Sequence, residues 1–363
     1  MSGRYSPVST ENKASWLPKL RKWSFLIFGV FCVLTYATLL LWQPPPIKPV
    51  SMALFLQIGN INKIDDLLTC VGNVVEARRI LETNQDDRLK VKETRFTMNI
   101  DLYISYTTSS SNSTDTNRSH IEDKLKKFGS MIDNYYMTPV DNVGLDVGQF
   151  LNQVSIAHSN ERDYDVVLKV HSKTNKVWAE HTYQCLCGTP SHVISILNEF
   201  QNRPDVHLIS PQGLLFSSET PKEIIHPVLI DTYFSQTELS TAFSPANVNH
   251  MKSLYKTIFG AELNVPVNKL LCEAGTMFWA KYQALRPKEL TAALPALAEK
   301  WSRGYVRDSG IEHALERLIP TWIEKHGGKI GEMIPAPKVL PLYFPQYHTV
   351  PENDRFHGAG FTE

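Results

Sequence analysis

Twenty consecutive residues near the N-terminus, from Trp23 to Trp42, carry no charge, and 16 of them are hydrophobic. At about 1.5 Å per residue, a helix of this length spans roughly 30 Å, which matches a bilayer core. A tryptophan stands at each end, where amphipathic rings prefer the membrane interface. A cleaved signal peptide has a shorter apolar stretch and an A-x-A-like site, and no such site follows here. The segment therefore predicts an uncleaved transmembrane anchor.

The charges that flank this segment predict its orientation. Before it lie five basic residues and only one acidic residue, Glu11; the basic residues are Arg4, Lys13, Lys19, Arg21 and Lys22. Just after it lies only Lys48. The positive-inside rule places residues 1–22 in the cytosol and the chain beyond the anchor on the far side, which is a type II topology. A proline-rich stem follows at 43–50.

Two N-glycosylation sequons, at Asn112 and Asn117, lie in a Ser/Thr/Asn-rich run at 107–119 that is typical of an exposed loop. They agree with the predicted non-cytosolic location. Four cysteines fall on the same side of the anchor and allow three disulfide pairings: Cys70, Cys185, Cys187 and Cys272. Cys185 and Cys187 are so close in sequence that we expect distant partners for them.

The composition excludes some classes of protein. The chain has 363 residues, with 37 Lys+Arg against 37 Asp+Glu. This neutral balance argues against a protein that binds nucleic-acid phosphates, and the 42% hydrophobic content argues against general disorder.

Beyond the stem, short apolar runs alternate with helical patterns. Predicted strands lie at 52–58, 98–106, 135–140, 166–171, 206–210 and 274–281. Predicted helices lie at 63–81, 120–127, from a capping Asp146 onward, and at 191–201, 292–301 and 311–318. This alternation predicts an α/β fold with a largely parallel sheet.

The strand at 166–171 leads into a basic cluster. Because side chains alternate along a strand, Lys169, His171 and Lys173 are expected on one face, at the carboxyl end of the strand. Ligands bind at that end in open α/β sheets, and three basic groups there suit a diphosphate. The alternative is a strand that leaves the core, with its lysines reaching water.

Acidic residues near two other predicted elements are candidates for catalysis. Asp308 and His313 flank the start of a helix, where a carboxylate can serve as a general base. Glu312 is a second candidate, although with Ser309 it also fits a capping box. Glu273 comes before the strand predicted at 274–281.

Gly275, near the start of that predicted strand, would permit close approach of the backbone to a ligand. A simple turn before a core strand explains the same pattern.

No phosphate-binding loop, zinc-protease motif or nucleophile elbow is present. The sequence Asp163-Tyr164-Asp165 is a literal D-x-D, but it precedes the strand and so lies at the wrong end for a ligand crevice. We therefore assign no metal ligands, although His171 with a distant carboxylate leaves a divalent metal open.

Four segments together resemble the rhamnan synthesis protein F family of glycosyltransferases, in matching order and spacing. They are 146–151, 164–173, 274–279 and 308–317. The resemblance covers 51–335. The sequence departs from the family at Gln149, where proline is usual, and in the polar insert at 107–119.

The resemblance implies sugar transfer from a nucleotide-sugar donor to a glycan or polysaccharide acceptor, with rhamnose as one candidate sugar. It also implies a GT-A-like nucleotide-sugar-binding domain. Its donor-binding residues would be Asp146, Gly148, Lys169, His171 and Lys173, with the basic edge replacing a metal-binding D-x-D. Its acceptor-side residues would be Gly275, Thr276 and His313. The catalytic base would be Asp308, Glu273 or Glu312.

A second resemblance begins near the C-terminus, where 336–363 is similar to the opening of a WbsX-like domain, a barrel of endo-mannosidase type. A barrel of this type needs about 200 residues or more, so this segment is a truncated start of one.

Three hypotheses follow. The first is a glycosyltransferase with its catalytic domain in the lumen of the Golgi or another secretory compartment, where nucleotide sugars are imported. The second is a non-catalytic glycan-binding or scaffold protein. The third is a fragment of a longer protein with a glycoside-hydrolase-like barrel. A decayed enzyme would be expected to lose Lys169, His171 or Asp308, and all three are present, which favours the first.

Overall fold

The computed structural model describes residues 50–83, 98–107, 113–233, 242–304 and 310–336. The predicted anchor at 23–42, most of the stem and nearly all of the WbsX-like segment lie outside these residues, as do Asn112 and Asp308. Among the helices that are described, none combines the length and apolar composition needed to cross a bilayer.

The strands in chain order are β1 (Val50–Ile58), β2 (Met98–Thr107), β3 (Asn134–Val140), β4 (Val166–His171), β5 (Val206–Pro211), β6 (Leu215–Phe216), β7 (Cys272–Glu273), β8 (Phe278–Lys281) and β9 (Lys329–Met333). The α-helices are α1 (Ile64–Thr83), α2 (Ser113–Leu125), α3 (Leu145–Ser159), α4 (Lys176–Cys187), α5 (Pro190–Asn202), α6 (Pro227–Tyr233), α7 (Pro245–Phe259), α8 (Pro287–Ala298) and α9 (Ile311–Lys325).

Seven strands form one sheet in the order β3-β2-β1-β4-β8-β5-β9. Every neighbouring pair is parallel except the two that involve β8, which runs antiparallel to β4 and β5. β6 and β7 form a separate antiparallel pair. The predicted α/β fold with a mostly parallel sheet is confirmed.

Helices cover both faces of the sheet, as a parallel sheet requires. α1 packs against α5, α3 against α8, and α7 against α9. The central strand β4 is buried along its whole length, and this includes Lys169 and His171. Two ionisable side chains are therefore held inside an apolar layer, which is costly unless each finds a partner.

The strand predicted at 274–281 is shorter than expected, because β8 begins only at Phe278. Gly275 has a φ of +93° and Thr276 a φ of +49°. Both values lie in the left-handed region, which interrupts an extended strand. The segment between β7 and β8 is therefore a turn, as the alternative interpretation of Gly275 held.

Two local predictions at the helices were wrong. The run predicted as a loop at 107–119 already enters α2 at Ser113. Asp146 is not the cap of α3: the cap position is Gly144, with a φ of +73°, and Asp146 lies in the first turn. Five elements besides helix α4 were not predicted: helices α6 and α7, the short strands β6 and β7, and the edge strand β9. Ser244 followed by a proline is nevertheless a recognised helix start for α7.

A disulfide joins Cys70 in α1 to Cys187 at the end of α4. The expectation of a distant partner for Cys187 is confirmed. The same expectation for Cys185 was wrong, since Cys185 and Cys272 are buried and not joined by a disulfide. The bond links two helices that are 117 residues apart in sequence.

Candidate active site

A cavity of about 670 Å³ opens at the carboxyl ends of β1 and β4. Its walls come from the start of α3, the residues after β4, the turn before β8 and the first turns of α9. Seven predicted site residues line it: Asp146, His171, Lys173, Gly275, Thr276, Glu312 and His313. Three others, Gly148, Lys169 and Glu273, are buried behind the wall. The fold thus brings the predicted donor and acceptor residues to one edge of the sheet.

Lys169 is fully buried and forms an ion pair with the carboxylate of Asp146. Its ammonium also lies 2.9 Å from Nδ1 of His171. The strand alternation therefore does place Lys169 and His171 on one face. Lys169 does not line the cavity, however, because Asp146 stands between it and the opening. The prediction that all three basic groups face a ligand was therefore wrong for Lys169, which is neutralised by Asp146, whereas His171 and Lys173 do line the cavity.

Protonation in this cluster follows from burial and charge. Burial alone would raise the pKa of Asp146, but the charges of His171 and Lys169 and the hydrogen bond from Lys169 outweigh it, so that pKa lies well below its usual value. Burial lowers the pKa of His171 well below the usual histidine value. Its imidazole is therefore neutral near pH 7, and Nδ1 accepts a hydrogen bond from Lys169. The remaining proton on Nε2 is what His171 can donate to a ligand.

Among the described residues that line the cavity, Lys173 is the one lysine. Its ammonium lies 3.4 Å from the centroid of the Trp178 ring, a cation–π contact. Burial lowers the pKa of Lys173, and the carboxylates of Glu316 and Asp146 oppose that shift. A Cβ at Gly275 would lie 3.1 Å from both Nζ of Lys173 and Cζ2 of Trp178. Glycine is needed here for space as well as for its positive φ.

The turn that carries Gly275 and Thr276 is held by helix α9. The backbone N–H of Gly275 donates to Oε1 of Glu316. Thr276 is 2% exposed and its N–H donates to the carbonyl of Glu273 at 3.4 Å. Glu316 also lines the cavity. It was missed in the sequence, although it lies four residues after Glu312 and so on the same helical face.

Glu273 is 1% exposed and lies beneath the cavity. Burial and the neighbouring carboxylate of Glu316 raise its pKa well above the usual value. Its Oε1 accepts a hydrogen bond from Oγ of Ser210 at 3.4 Å, whereas Oε2 is buried with no hydrogen-bond partner among the described residues. This position does not suit a base that must reach an acceptor hydroxyl.

Glu312 is buried in the first turn of α9, and its carboxylate accepts two hydrogen bonds from Ser302. The N–H of Ser302 donates at 2.6 Å and its Oγ donates at 3.0 Å. Its carboxylate thus fixes the segment before α9. The cap position is Gly310, and Ser309 lies outside the described residues. The neighbouring His313 lines the cavity and has a buried Nδ1 without a hydrogen-bond partner among described residues.

The start of α3 is positioned by packing and by buried amides. Gly148 lies against the indole of Trp301, where a Cβ would approach to 3.4 Å. Gln57, at the end of β1, donates from Nε2 to the carbonyl of Leu145 at 3.2 Å. Gln153 donates to the carbonyl of Leu56 at 2.9 Å. These contacts fix Asp146 relative to the sheet edge.

The literal D-x-D lies at the opposite edge of the sheet, as predicted. Asp165 accepts from the N–H of Ser51 at 2.8 Å, and Asp163 accepts from Gln283 at 2.6 Å. Within the described ranges, no group of three His, Cys, Asp or Glu side chains is arranged to hold a metal ion. Asn117 is half-buried in α2 and donates to the carbonyl of Thr107 at 3.4 Å.

The chain is similar to two curated proteins of Xanthomonas campestris. The uncharacterized protein WxcX of Xanthomonas campestris pv. campestris, strain B100, is 26% identical over 196 residues, and its counterpart in a second strain matches equally. The match covers 52% of this chain but 24% of that protein, so the chain spans about a quarter of its relative.

Among solved structures, the apo form of mouse xyloside xylosyltransferase 1 aligns over 74% of this chain and 82% of that one, with 10% identity and a TM-score of 0.29. A similarity this weak does not bear on activity.

Two family matches lie in succession along the chain. Residues 339–363 match the family described as Glycosyltransferase WbsX. Residues 85–325 match the family described as Rhamnan synthesis protein F. Both matches support a role in glycosyl transfer. The match to Rhamnan synthesis protein F covers about two thirds of the sequence and includes most of the residues that line the cavity. The chain belongs to the rhamnan synthesis protein F family.

Proposed function

We propose that this protein is a membrane-anchored glycosyltransferase that moves a sugar from a nucleotide-sugar donor to a glycan acceptor. Its catalytic domain faces the lumen of the Golgi or another secretory compartment. Rhamnose is one candidate for the transferred sugar. The family supports the reaction class, and the apolar segment at 23–42 with its basic flank supports the anchor and its orientation.

The observation that carries this proposal is the cavity at the carboxyl edge of the sheet, where Lys173 and the carboxylates of Asp146, Glu312 and Glu316 lie together. Lys173 can neutralise charge on the diphosphate, while Asp146 can accept hydrogen bonds from sugar hydroxyls. In the transfer step, a base takes the proton of an acceptor hydroxyl. The hydroxyl oxygen then forms a bond to the anomeric carbon, and the bond from that carbon to the phosphate oxygen breaks. The nucleoside diphosphate leaves with the bonding electrons.

The geometry narrows the choice of base. Glu273 is buried behind the wall, and Glu312 is bonded twice to Ser302. We therefore favour Asp308, which precedes Gly310 by two residues in sequence, or His313, which lines the cavity. Glu316 orients the turn at Gly275 and acts as a positioning residue.

The test is a donor screen on the full chain in detergent. Thermal shift and donor hydrolysis are recorded with a panel of nucleotide sugars, with and without a metal chelator. We expect one donor to raise the melting temperature, and the variant Lys173→Met to weaken that donor by about tenfold or more, because a charged hydrogen bond is lost. The matched control is Lys329→Met. Lys329 is an exposed lysine at the start of the far strand β9, and it forms an ion pair with Asp205. If folded wild-type protein responds to no donor, the proposal is wrong.

The orientation is tested separately. If the domain is luminal, protein expressed in a eukaryotic secretory system should carry an N-glycan that peptide-N-glycosidase removes. Asn112→Gln and Asn117→Gln would show which sequon is used. A protease added outside sealed microsomes should leave the domain intact. Digestion of the domain under those conditions would reverse the assigned topology.

A further inference from the structure

Two cavities meet at Lys173. The larger is the candidate site of about 670 Å³, and the smaller, about 460 Å³, lies between α1 and α4. Of the described residues that line either cavity, Lys173 alone lines both. We propose that the smaller cavity binds the nucleoside diphosphate of the donor, and that the larger holds the transferred sugar and the acceptor. The diphosphate would then cross at Lys173. This inference rests on the proposed function and adds to it which cavity binds each part of the donor.

The distribution of charge separates the two cavities. Three lysines line the smaller one, Lys63, Lys173 and Lys176, together with Asp66 and Glu180. A nucleoside diphosphate carries dense negative charge, so the cavity with the surplus of cations is the favourable place for it.

The larger cavity has the opposite balance. Among the described residues that line it are three carboxylates, those of Asp146, Glu312 and Glu316, and one lysine, Lys173. Asp146 is already paired with the buried Lys169, so Glu312 and Glu316 remain against Lys173. His171 is neutral because burial lowers its pKa. Carboxylates accept hydrogen bonds from sugar hydroxyls but repel phosphates. The larger volume also leaves room for an acceptor group beside the transferred sugar, within the 300–1,000 Å³ typical of ligand sites.

Lys173 is held at the junction from several sides. Its ammonium rests on the Trp178 ring, and the carboxylates of Glu316 and Asp146 act on it electrostatically. Gly275 lacks the Cβ that would come within 3.1 Å of Nζ. A cation fixed between two cavities is placed to contact a group that links two parts of one ligand.

The wall of the smaller cavity suits a nucleoside. Ala179 and the ring of Tyr183 offer apolar surface, and the amides of Asn73 and Gln184 offer donors and acceptors to a base edge. The wall is also rigid. Asn73 donates to the carbonyl of Cys187 at 2.6 Å, and the disulfide ties α1 to α4.

The experiment compares two tryptophan substitutions at exposed positions, one on each cavity. Thr69→Trp fills the smaller cavity, and Asn142→Trp fills the larger. Affinities of the full chain in detergent are measured by calorimetry for free nucleoside diphosphates (UDP, GDP and dTDP) and for the nucleotide sugar selected by the donor screen. Circular dichroism checks the fold of each variant. Lys176→Glu, an exposed charge reversal on the smaller cavity, provides an independent second variant.

We expect Thr69→Trp and Lys176→Glu to weaken the free diphosphate by about tenfold or more, which corresponds to about 1.4 kcal/mol. Asn142→Trp should leave that affinity within about twofold, yet weaken the nucleotide sugar or abolish transfer. The reverse pattern would place the nucleoside in the larger cavity and overturn the inference, while leaving the proposed function intact. Equal losses in both tryptophan variants, or no loss in either, would also overturn it. If wild-type protein binds no nucleotide at all, the proposed function itself fails.

Discussion

The buried ion pair between Lys169 and Asp146 gives the sharpest prediction about stability. Lys169 is 0% exposed, and its ammonium contacts only the Asp146 carboxylate and Nδ1 of His171 among the hydrogen bonds and ion pairs of the described residues. The substitution Asp146→Asn keeps the size of the side chain but removes its charge. The ammonium is then left in the interior with neutral partners, and an uncompensated buried charge is costly.

Breaking a buried pair by removing one partner costs about 3–5 kcal/mol, whereas an exposed pair contributes about 0–1 kcal/mol. The matched control is Asp65→Asn. Asp65 forms an ion pair with Lys124 at 2.6 Å, but its side chain is 69% exposed. At about 2–4 °C per kcal/mol for a domain of this size, Asp146→Asn should lower the melting temperature by about 6–20 °C. Asp65→Asn should leave the melting temperature nearly unchanged, because the pair is exposed and screened by solvent.

The assay is urea and thermal unfolding of both variants at neutral pH, together with the double variant Asp146→Asn/Lys169→Met. Removing the stranded ammonium should restore part of the lost stability. In the wild type, the depressed pKa of Asp146 stabilises the fold above the ordinary aspartate value of 3.8. That contribution is lost as the pH falls below this value through the folded-state pKa. Similar losses in Asp146→Asn and Asp65→Asn would refute the argument.

Three further predictions concern other groups. The pKa of Glu273 is raised, so its protonated form stabilises the fold at low pH, and this stabilisation is lost as the pH rises above about 4.5. In chemical unfolding, the stability of Glu273→Gln relative to wild type should therefore increase as the pH goes from about 4.5 to about 8. Gly275→Ala should abolish transfer and destabilise by about 1–3 kcal/mol, whereas Gly260→Ala, with a φ of +65° and nothing within 4 Å of a Cβ, should cost only the backbone strain and keep activity. Reduction of the Cys70–Cys187 disulfide should cost about 2–5 kcal/mol, because it releases a loop of about 117 residues, and unchanged melting with and without reductant would contradict this.

Much of the fold could be predicted because its strands are apolar and its helices periodic. The strands at 52–58, 98–106 and 166–171 agree with β1, β2 and β4 to within two residues at each end. Strands that are buried on both faces are rich in apolar residues, and this enrichment is what the sequence shows in all three. The turn before β8 was harder, since Thr276 adopts a positive φ that no threonine propensity signals.

The candidate site was predictable in position but not in its pairing. Strand alternation placed Lys169 and His171 on one face. It could not show that Asp146, from another element, would neutralise Lys169. Nor could it show that burial would lower the pKa of His171 despite the opposing charge of Asp146. This pairing depends on where α3 lies relative to β4. That position is fixed by tertiary contacts, such as the hydrogen bond from the Gln57 side-chain amide to the carbonyl of Leu145. Glu316 was missed for a related reason: a carboxylate on a helix is usually solvated, and only its contact with Gly275 shows its role.

The basic residues at the end of β4 therefore have two different tasks. Lys169 sits in the apolar layer and holds the Asp146 carboxylate at the cavity wall, so its effect on a ligand is indirect. Lys173, two residues beyond the strand, stacks on Trp178 and meets the cavity itself. They are four residues apart in sequence. Lys169 lies within β4, where its burial requires a charged partner, whereas Lys173 lies past the end of the strand, where a ligand can provide the counter-charge. A substitution at Lys169 should thus be judged first by stability, and one at Lys173 by donor affinity.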